Sequence, residues 1–470
     1  MSMRHIDVHE KAPEVDPAAH GYGLHHDALS PLEVLAQSVS TIAPSTTPTL
    51  TVPLVFALAG NGSWLAYVIA MAAMLLVAVP VAMFARRSAS PGSLYVYTRD
   101  TLPPAFGSLA ALALLFAYVA TASSVIGGFI NSCQIFLVPL GLNVPPVVLA
   151  AIAALGALLI ALGDVSISAR VMLWIEFASV ALIAVVIALV LARHGIHIDA
   201  AQIHLAGATT SGVRLGVMLA IFSFVGFESA TTLGAEARDP LRTIPRAVVL
   251  SAITAGIFFI LCTYAETLGF HHSPTALGDS TAPMRWLADA AHVGFIGPAI
   301  DAGVLVSMFA ATLACIIAAA RVLLIMAHEG LAHRWLRTTH TRTGSPAAAV
   351  AVTALLALLA PVALALHHVS GADIYGLMGS LAVFAFLTAY GLAGMASIVF
   401  LKRRNELTPL RLALASVTVL VILLGLVFSV YPKPPAPYLY LPYLYAAYVA
   451  LGLVWIALSR RKTNADSLRE

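Results

Sequence analysis

Two polar, helix-breaking runs interrupt apolar stretches of this chain, and their residue types suit the binding of an anion. The first is Ser40-Thr41-Ile42-Ala43-Pro44-Ser45-Thr46-Thr47-Pro48 and the second is Phe222-Ser223-Phe224-Val225-Gly226-Phe227-Glu228-Ser229. Backbone released from helical hydrogen bonding cannot face lipid, so such breaks persist only where protein, water or a ligand satisfies the groups. Thr47-Pro48 reads as a threonine cap with proline at the first helical position, which starts a second half-helix inside the span. Its N–H groups carry about half a unit of positive charge and point at whatever lies beside Ser45 and Thr46, where a carboxylate is the natural guest. One proline alone merely kinks a span. Two prolines flanking a Ser-Thr-Thr run, matched by the second break, point instead to a substrate site at the membrane midplane.

In the second run Gly226 supplies backbone freedom. Glu228 lies close to mid-span, where an acidic residue costs about 2.5–3.5 kcal/mol on insertion scales. Two readings stay open for it: a hydrogen-bonded pin between the two broken helices, or a proton-coupling, substrate-linked group. Glu176 and Glu236 fall nearer cytoplasmic ends of spans, and Glu266 and Asp301 nearer the outer face, so all four are expected within reach of water. Thr121, Ser123, Ser124 and Asn131 of the third span read as helix-packing residues. Cys133, Cys262 and Cys315 stand alone in apolar spans and read as small buried side chains. His5, His9, His20, His25 and His26 match no zinc-finger or zincin spacing, so no metal and no cofactor is expected.

The elements that must position these residues are membrane spans. Hydrophobic residues make up 60% of the 470 and charged residues 10%, against about 45–50% and 25% in soluble domains. Twelve apolar stretches are long enough to cross a bilayer: 32–58, 63–84, 106–137, 144–162, 171–191, 213–235, 247–270, 297–327, 346–366, 375–401, 412–430 and 438–458. Ser30-Pro31-Leu32-Glu33 is a capping box that starts the first helix. With the N-terminus inside, 21 of the 25 Lys and Arg fall on the cytoplasmic side, leaving Arg193, Arg214, Arg285 and Lys433 outside. That bias gives cytoplasmic N- and C-termini in the cytoplasmic membrane. The net charge of +3 reflects this topology, and no nucleic-acid partner is expected. The polar stretch 1–29 is expected to be a disordered cytoplasmic tail, and 459–470 a second cytoplasmic tail.

The motifs resemble the amino acid–polyamine–organocation superfamily of permeases over nearly all twelve spans. The most specific is Ser223-Phe224-Val225-Gly226-Phe227-Glu228-Ser229, running on to Glu236-Ala237-Arg238-Asp239-Pro240 and Ile244-Pro245. Pro91-Gly92-Ser93-Leu94-Tyr95 resembles the family's loop after helix two, and Ala320-Arg321 its end of helix eight. The resemblance implies an all-α membrane protein of LeuT-like fold, with discontinuous helices one and six. It implies one five-helix repeat over 30–205, an inverted second over 206–404, and helices eleven and twelve over 405–458. It further implies an amino acid whose carboxylate meets Ser45, Thr46 and Thr47. The ammonium would meet the carbonyls of Ile42, Ala43, Phe222 and Val225 beside Gly226, with Phe222 as an aromatic gate.

The chain departs from the family pattern in three places. The usual Gly-x-Gly entrance is replaced by Ala43-Pro44-Ser45-Thr46-Thr47, helix five has no lysine between Val171 and Leu191, and Ala327-His328-Glu329-Gly330 replaces Ala-Arg-Asp-Gly. Ser307, Ala311, Thr312, Ala314 and Cys315 of helix eight are poor ligands for sodium. The expectation is a sodium-independent secondary amino acid transporter, proton-coupled or exchanging, with Glu228 as the proton-coupling candidate. A polyamine or organic-amine transporter and a non-transporting amino acid sensor of the same fold are the alternatives. A membrane enzyme is not expected, since neither His-Glu-x-x-His nor Gly-x-Ser-x-Gly occurs.

Overall fold

The computed structural model describes residues 22, 24, 27–163, 165–194, 198–340, 344–431, 433, 434 and 436–467. Sixteen α-helices follow one another: α1 (Pro31–Ile42), α2 (Val52–Ala59), α3 (Ser63–Ala85), α4 (Ser93–Arg99), α5 (Pro104–Leu137), α6 (Pro146–Ala161), α7 (Val165–His194) and α8 (Ala200–Ile203). They continue as α9 (Thr210–Phe222), α10 (Pro240–Gly269), α11 (Pro283–Ala290), α12 (Gly297–His328), α13 (Ala347–Leu366), α14 (Gly371–Arg403), α15 (Pro409–Val430) and α16 (Leu441–Ser467).

Among the described residues nine helical runs are long and apolar enough to cross a membrane; the first, Pro31–Ala85, takes in the first two expected spans. The shorter apolar helices α6 and α9 fall at the fourth and sixth expected spans. The bundle centre is built by α5, which packs along both α14 and α12, while α10 packs along α3. In α12, 94% of the apolar window is buried, against 22% in α15 and 17% in the run that opens α16. The last two helices therefore lie against the outside of the bundle, with apolar side chains left for lipid.

Local chemistry sets where the functional helices start and stop. The capping box forms as expected: the Glu33 N–H reaches Ser30 Oγ (3.5 Å) and the Ser30 N–H donates to Glu33 Oε2 (2.7 Å). α1 stops at Ile42 because Ala43 turns left-handed (φ 49°) and Pro44 has no N–H to continue the ladder. The chain resumes as a π-helical turn, Thr47–Thr51, that leads into α2. The expected side-chain cap by Thr47 is not made. Thr46 stands at the cap position, and its hydroxyl donates back to the Ala43 carbonyl (2.7 Å).

The tail 1–29 needs correction at its end. Leu29 forms a parallel bridge with Ala237, through Leu29 N–H to the Glu236 carbonyl and Arg238 N–H to the Leu29 carbonyl, both 2.9 Å. Leu24 is buried with Ala235 and Leu324. These two leucines give an otherwise polar segment enough apolar surface to dock. The five N-terminal histidines lie outside the described residues.

Candidate functional site

The two breaks lie side by side and are stitched together by side chains of α1 and of the 3₁₀ turn Ser229–Leu233. The Ser38 hydroxyl donates to the Phe227 carbonyl (2.8 Å) and accepts the Ala230 N–H (3.2 Å). The Ser229 hydroxyl donates to Thr41 Oγ1 (3.0 Å), and Thr41 donates on to the Gln37 carbonyl (2.7 Å). The Gln37 amide donates to the Ala314 carbonyl (3.1 Å), tying α1 to α12. Backbone groups freed by the sixth-span break are thus satisfied by α1 side chains, as a dry interior requires.

Gly226 is the position where this contact admits no side chain. Its φ is +99°, and a Cβ there would lie 2.2 Å from Thr41 Cγ2. Phe222, at the end of α9, packs edge-on against Tyr375 (5.4 Å between centroids). It lies so close to Gly379 that a Cβ on that glycine would meet the ring at 2.6 Å. Tyr375 is itself fixed by a hydrogen bond between its hydroxyl and Thr51 Oγ1 (2.8 Å). Phe222 therefore closes one side of the breaks against α14.

The sequence-derived residues meet different fates here. Ile42, Ala43, Ser45, Thr46, Thr47, Phe222, Val225 and Gly226 are all buried at the breaks. Thr47 Oγ1 has no hydrogen-bond partner, while Ser45 Oγ and Ser307 Oγ of α12 lie beside the Glu176 carboxylate. The Ala43 carbonyl accepts from both Thr46 N–H and Thr46 Oγ1, which fills its two lone pairs, and the Phe222 carbonyl accepts from Val225 N–H, which leaves it one.

Three of the four acids expected near water are buried instead. Glu176 is 2% exposed, and its Oε1 accepts the Ser45 N–H at 2.8 Å, so a carboxylate of the protein itself occupies part of the half-helix end. The cause is helix length: α7 begins at Val165, which places Glu176 about 16 Å from its start at 1.5 Å per residue. Asp301, 5% exposed, is held by Arg285 (Nε to Oδ2, 2.7 Å). Glu266 is fully buried in the last turn of α10, where Leu287 of α11 packs against Gly269. Glu236, the fourth, makes a two-pronged pair with Arg321 of α12, both contacts 2.7 Å.

Glu228 is fully buried with one donor on each oxygen, Tyr118 of α5 (3.0 Å) and Tyr390 of α14 (2.6 Å). It joins the sixth span to the third and tenth rather than to the first. Sequence reasoning missed both tyrosines. Their signal was a lone hydroxyl inside an apolar span, which needs a buried acceptor. The third-span serines pack helices as expected: Ser123 donates to the Ala357 carbonyl (2.9 Å) and Ser124 to the Tyr375 carbonyl (2.6 Å).

Comparison with known proteins agrees with this geometry. Residues 29–455 match the family described as amino acid permease. An uncharacterized transporter of Mycobacterium tuberculosis is 29% identical over 72% of this chain and 73% of its own length. The branched-chain amino acid permease BcaP of Lactococcus lactis is 25% identical over 71% and 75%. In three dimensions the chain resembles a mutant manganese transporter of Eremococcus coleocola, with a TM-score of 0.57, 13% identity and coverage of 91% and 95% of the two chains. The fold is all-α and LeuT-like, with broken first and sixth spans, and by its match along most of its length the chain belongs to the amino acid permease family of secondary transporters.

Proposed function

We propose that this protein moves an amino acid across the cytoplasmic membrane by alternating access around its two breaks, without sodium, by proton symport or exchange. The observation that carries this reading is Thr47 Oγ1, a buried hydroxyl without a partner at the start of a half-helix whose Ser45 N–H already attracts a carboxylate, that of Glu176. Native interiors satisfy their polar groups, and a ligand carboxylate arriving beside that positive helix end supplies what Thr47 lacks. The carboxylate then sits at Ser45, Thr46 and Thr47, and the ammonium against the Ile42, Ala43, Phe222 and Val225 carbonyls, with Ala43 releasing a bond from Thr46 to receive it. Gly226 keeps the two breaks close enough to share one ligand, and Phe222 moves off Tyr375 to admit it.

The same reading takes twelve spans with both termini cytoplasmic, supported by the one-sided Lys and Arg distribution. It divides the chain into repeats at 30–205 and 206–404, with 405–458 peripheral. Glu228, the proton-coupling candidate by sequence, is matched by two tyrosine donors, an arrangement suited to bracing three helices.

The test is exchange in sodium-free proteoliposomes preloaded with labelled amino acids and challenged outside with single amino acids or polyamines. Efflux stimulated by amino acids is the expected result. Stimulation by polyamines alone would replace the substrate class. Folded protein with neither exchange nor gradient-driven uptake of any of these compounds would remove the transport reading.

A further inference from the structure

Glu266, in the last turn of α10, is fully buried, and neither of its carboxyl oxygens meets a hydrogen-bond partner. The other buried carboxyls of the spans each have a donor: Glu33 at Ser30, Glu176 at Ser45, Glu228 at Tyr118 and Tyr390, and Asp301 at Arg285. A negative charge on Glu266 has nothing to share it with in a dry interior, so the group needs a proton or an incoming cation as its counterpart. A structural acid would be expected to show the opposite, a full set of donors, as Glu228 does.

Its surroundings connect it to both breaks. α10 packs along α3 and against the π turn Thr47–Thr51, where Thr47 Oγ1 is also without a partner. On α3, the Tyr67 hydroxyl lies 3.2 Å from Ser223 Oγ, next to Phe222 at the second break. Cys262, one turn earlier on α10, is buried as Glu266 is. Of the cations on the elements packed around this end of α10, Arg193 of α7 is exposed and donates to the Ala290 carbonyl of α11 (2.7 Å). Arg285 of α11 is paired with Asp301, and Asp289 of α11 is exposed. Glu176 of α7 is committed to Ser45, Glu33 of α1 caps Ser30, and His271 after α10 faces Asp199 (3.3 Å) with His272 exposed.

We propose that Glu266 is the proton-exchanging acid of this transporter. The proposal rests on the transport reading and deepens it. In the arrangement described, the carboxyl keeps its proton. When the first span moves away from α10, water enters beside Tyr67, the carboxyl O–H bond breaks, and the proton passes to that water as hydronium. The carboxylate left behind is hydrated by the entering water, and reprotonation from water on the other side of the membrane completes the cycle.

The experiment uses the full chain in sodium-free proteoliposomes with two readouts: exchange at equal pH, and accumulation driven by an inside-alkaline pH gradient. For Glu266→Gln the expected result is exchange within about twofold of the parent and accumulation reduced to the level seen with a protonophore. Accumulation by that variant at the parent's level overturns the proposal. So does a parent that exchanges but ignores the gradient, which leaves transport itself standing; a parent with neither activity overturns the transport reading instead. Should Glu266→Gln fail to fold, Glu266→Asp keeps the acid on a shorter stem, and its gradient-driven uptake is expected to show a displaced pH profile. An unchanged profile in that variant overturns the proposal.

Discussion

Glu228 and Glu176 show how much the partners of a buried acid decide. Glu228 accepts from Tyr118 and Tyr390, and hydrogen bonds to a charged group contribute about 1.5–3 kcal/mol each. Glu228→Gln weakens both and sets an amide N–H₂ against a hydroxyl, so thermal unfolding in detergent is expected to fall by about 2 kcal/mol. Its transport is expected to keep the parent's pH profile, and a flattened profile would return the proton-coupling role to this residue. Glu176 accepts only one described backbone donor, the Ser45 N–H. Glu176→Gln keeps an acceptor oxygen and is expected to be close to neutral. Glu176→Ala strands the N–H in a dry interior and is expected to cost roughly 1–3 kcal/mol, read from the same melting experiment.

At the scale of elements, the two breaks work as a pair because one lacks a side chain where the other presents one. Gly226 has φ +99° and approaches Thr41 within what a Cβ would need. Gly226→Ala adds backbone strain of about 1–3 kcal/mol to a contact at 2.2 Å with Thr41 Cγ2. The expected outcome is loss of exchange with the protein still inserted. Adding Thr41→Ser removes the nearest methyl but leaves the Cβ of residue 41 at 2.7 Å and the backbone strain in place, so exchange is expected to stay lost. An active Gly226→Ala single variant would show that the breaks do not need this approach. Much of this element was legible in the residues: Pro44, Pro48 and Gly226 are backbone-breaking by their own covalent structure. The helix start at Thr46 and the π turn after it were not, because the Thr46 hydroxyl bonds back to Ala43 instead of capping forward.

At the scale of the whole molecule, the end of the bundle that carries the N-terminus is locked by contacts between segments far apart in the chain. Arg321 of α12 is 3% exposed and pairs with Glu236 through both oxygens. Leu29 bridges Ala237 beside it, and Ser93 in the loop after α3 hydrogen-bonds Thr231. Glu236→Gln leaves a buried guanidinium without its counter-charge, which costs about 3–5 kcal/mol when one partner of a buried pair is removed. A large drop in melting temperature is expected, and a drop under about 1 kcal/mol would show that water reaches the pair. The sequence by itself determined the membrane class, the capped start of α1 and the two breaks. Each of these is written in neighbouring residues, through hydropathy, capping and the geometry of proline and glycine. Only the tertiary structure decided which buried acids have donors. The Ser45–Glu176 contact joins positions 131 residues apart, and Tyr118 and Tyr390 reach Glu228 across 110 and 162. No local pattern encodes such pairings, because they follow from which helix faces meet across the bundle. The same packing covered Glu266, expected near water, and left it the one buried carboxyl among those described with no partner on either oxygen.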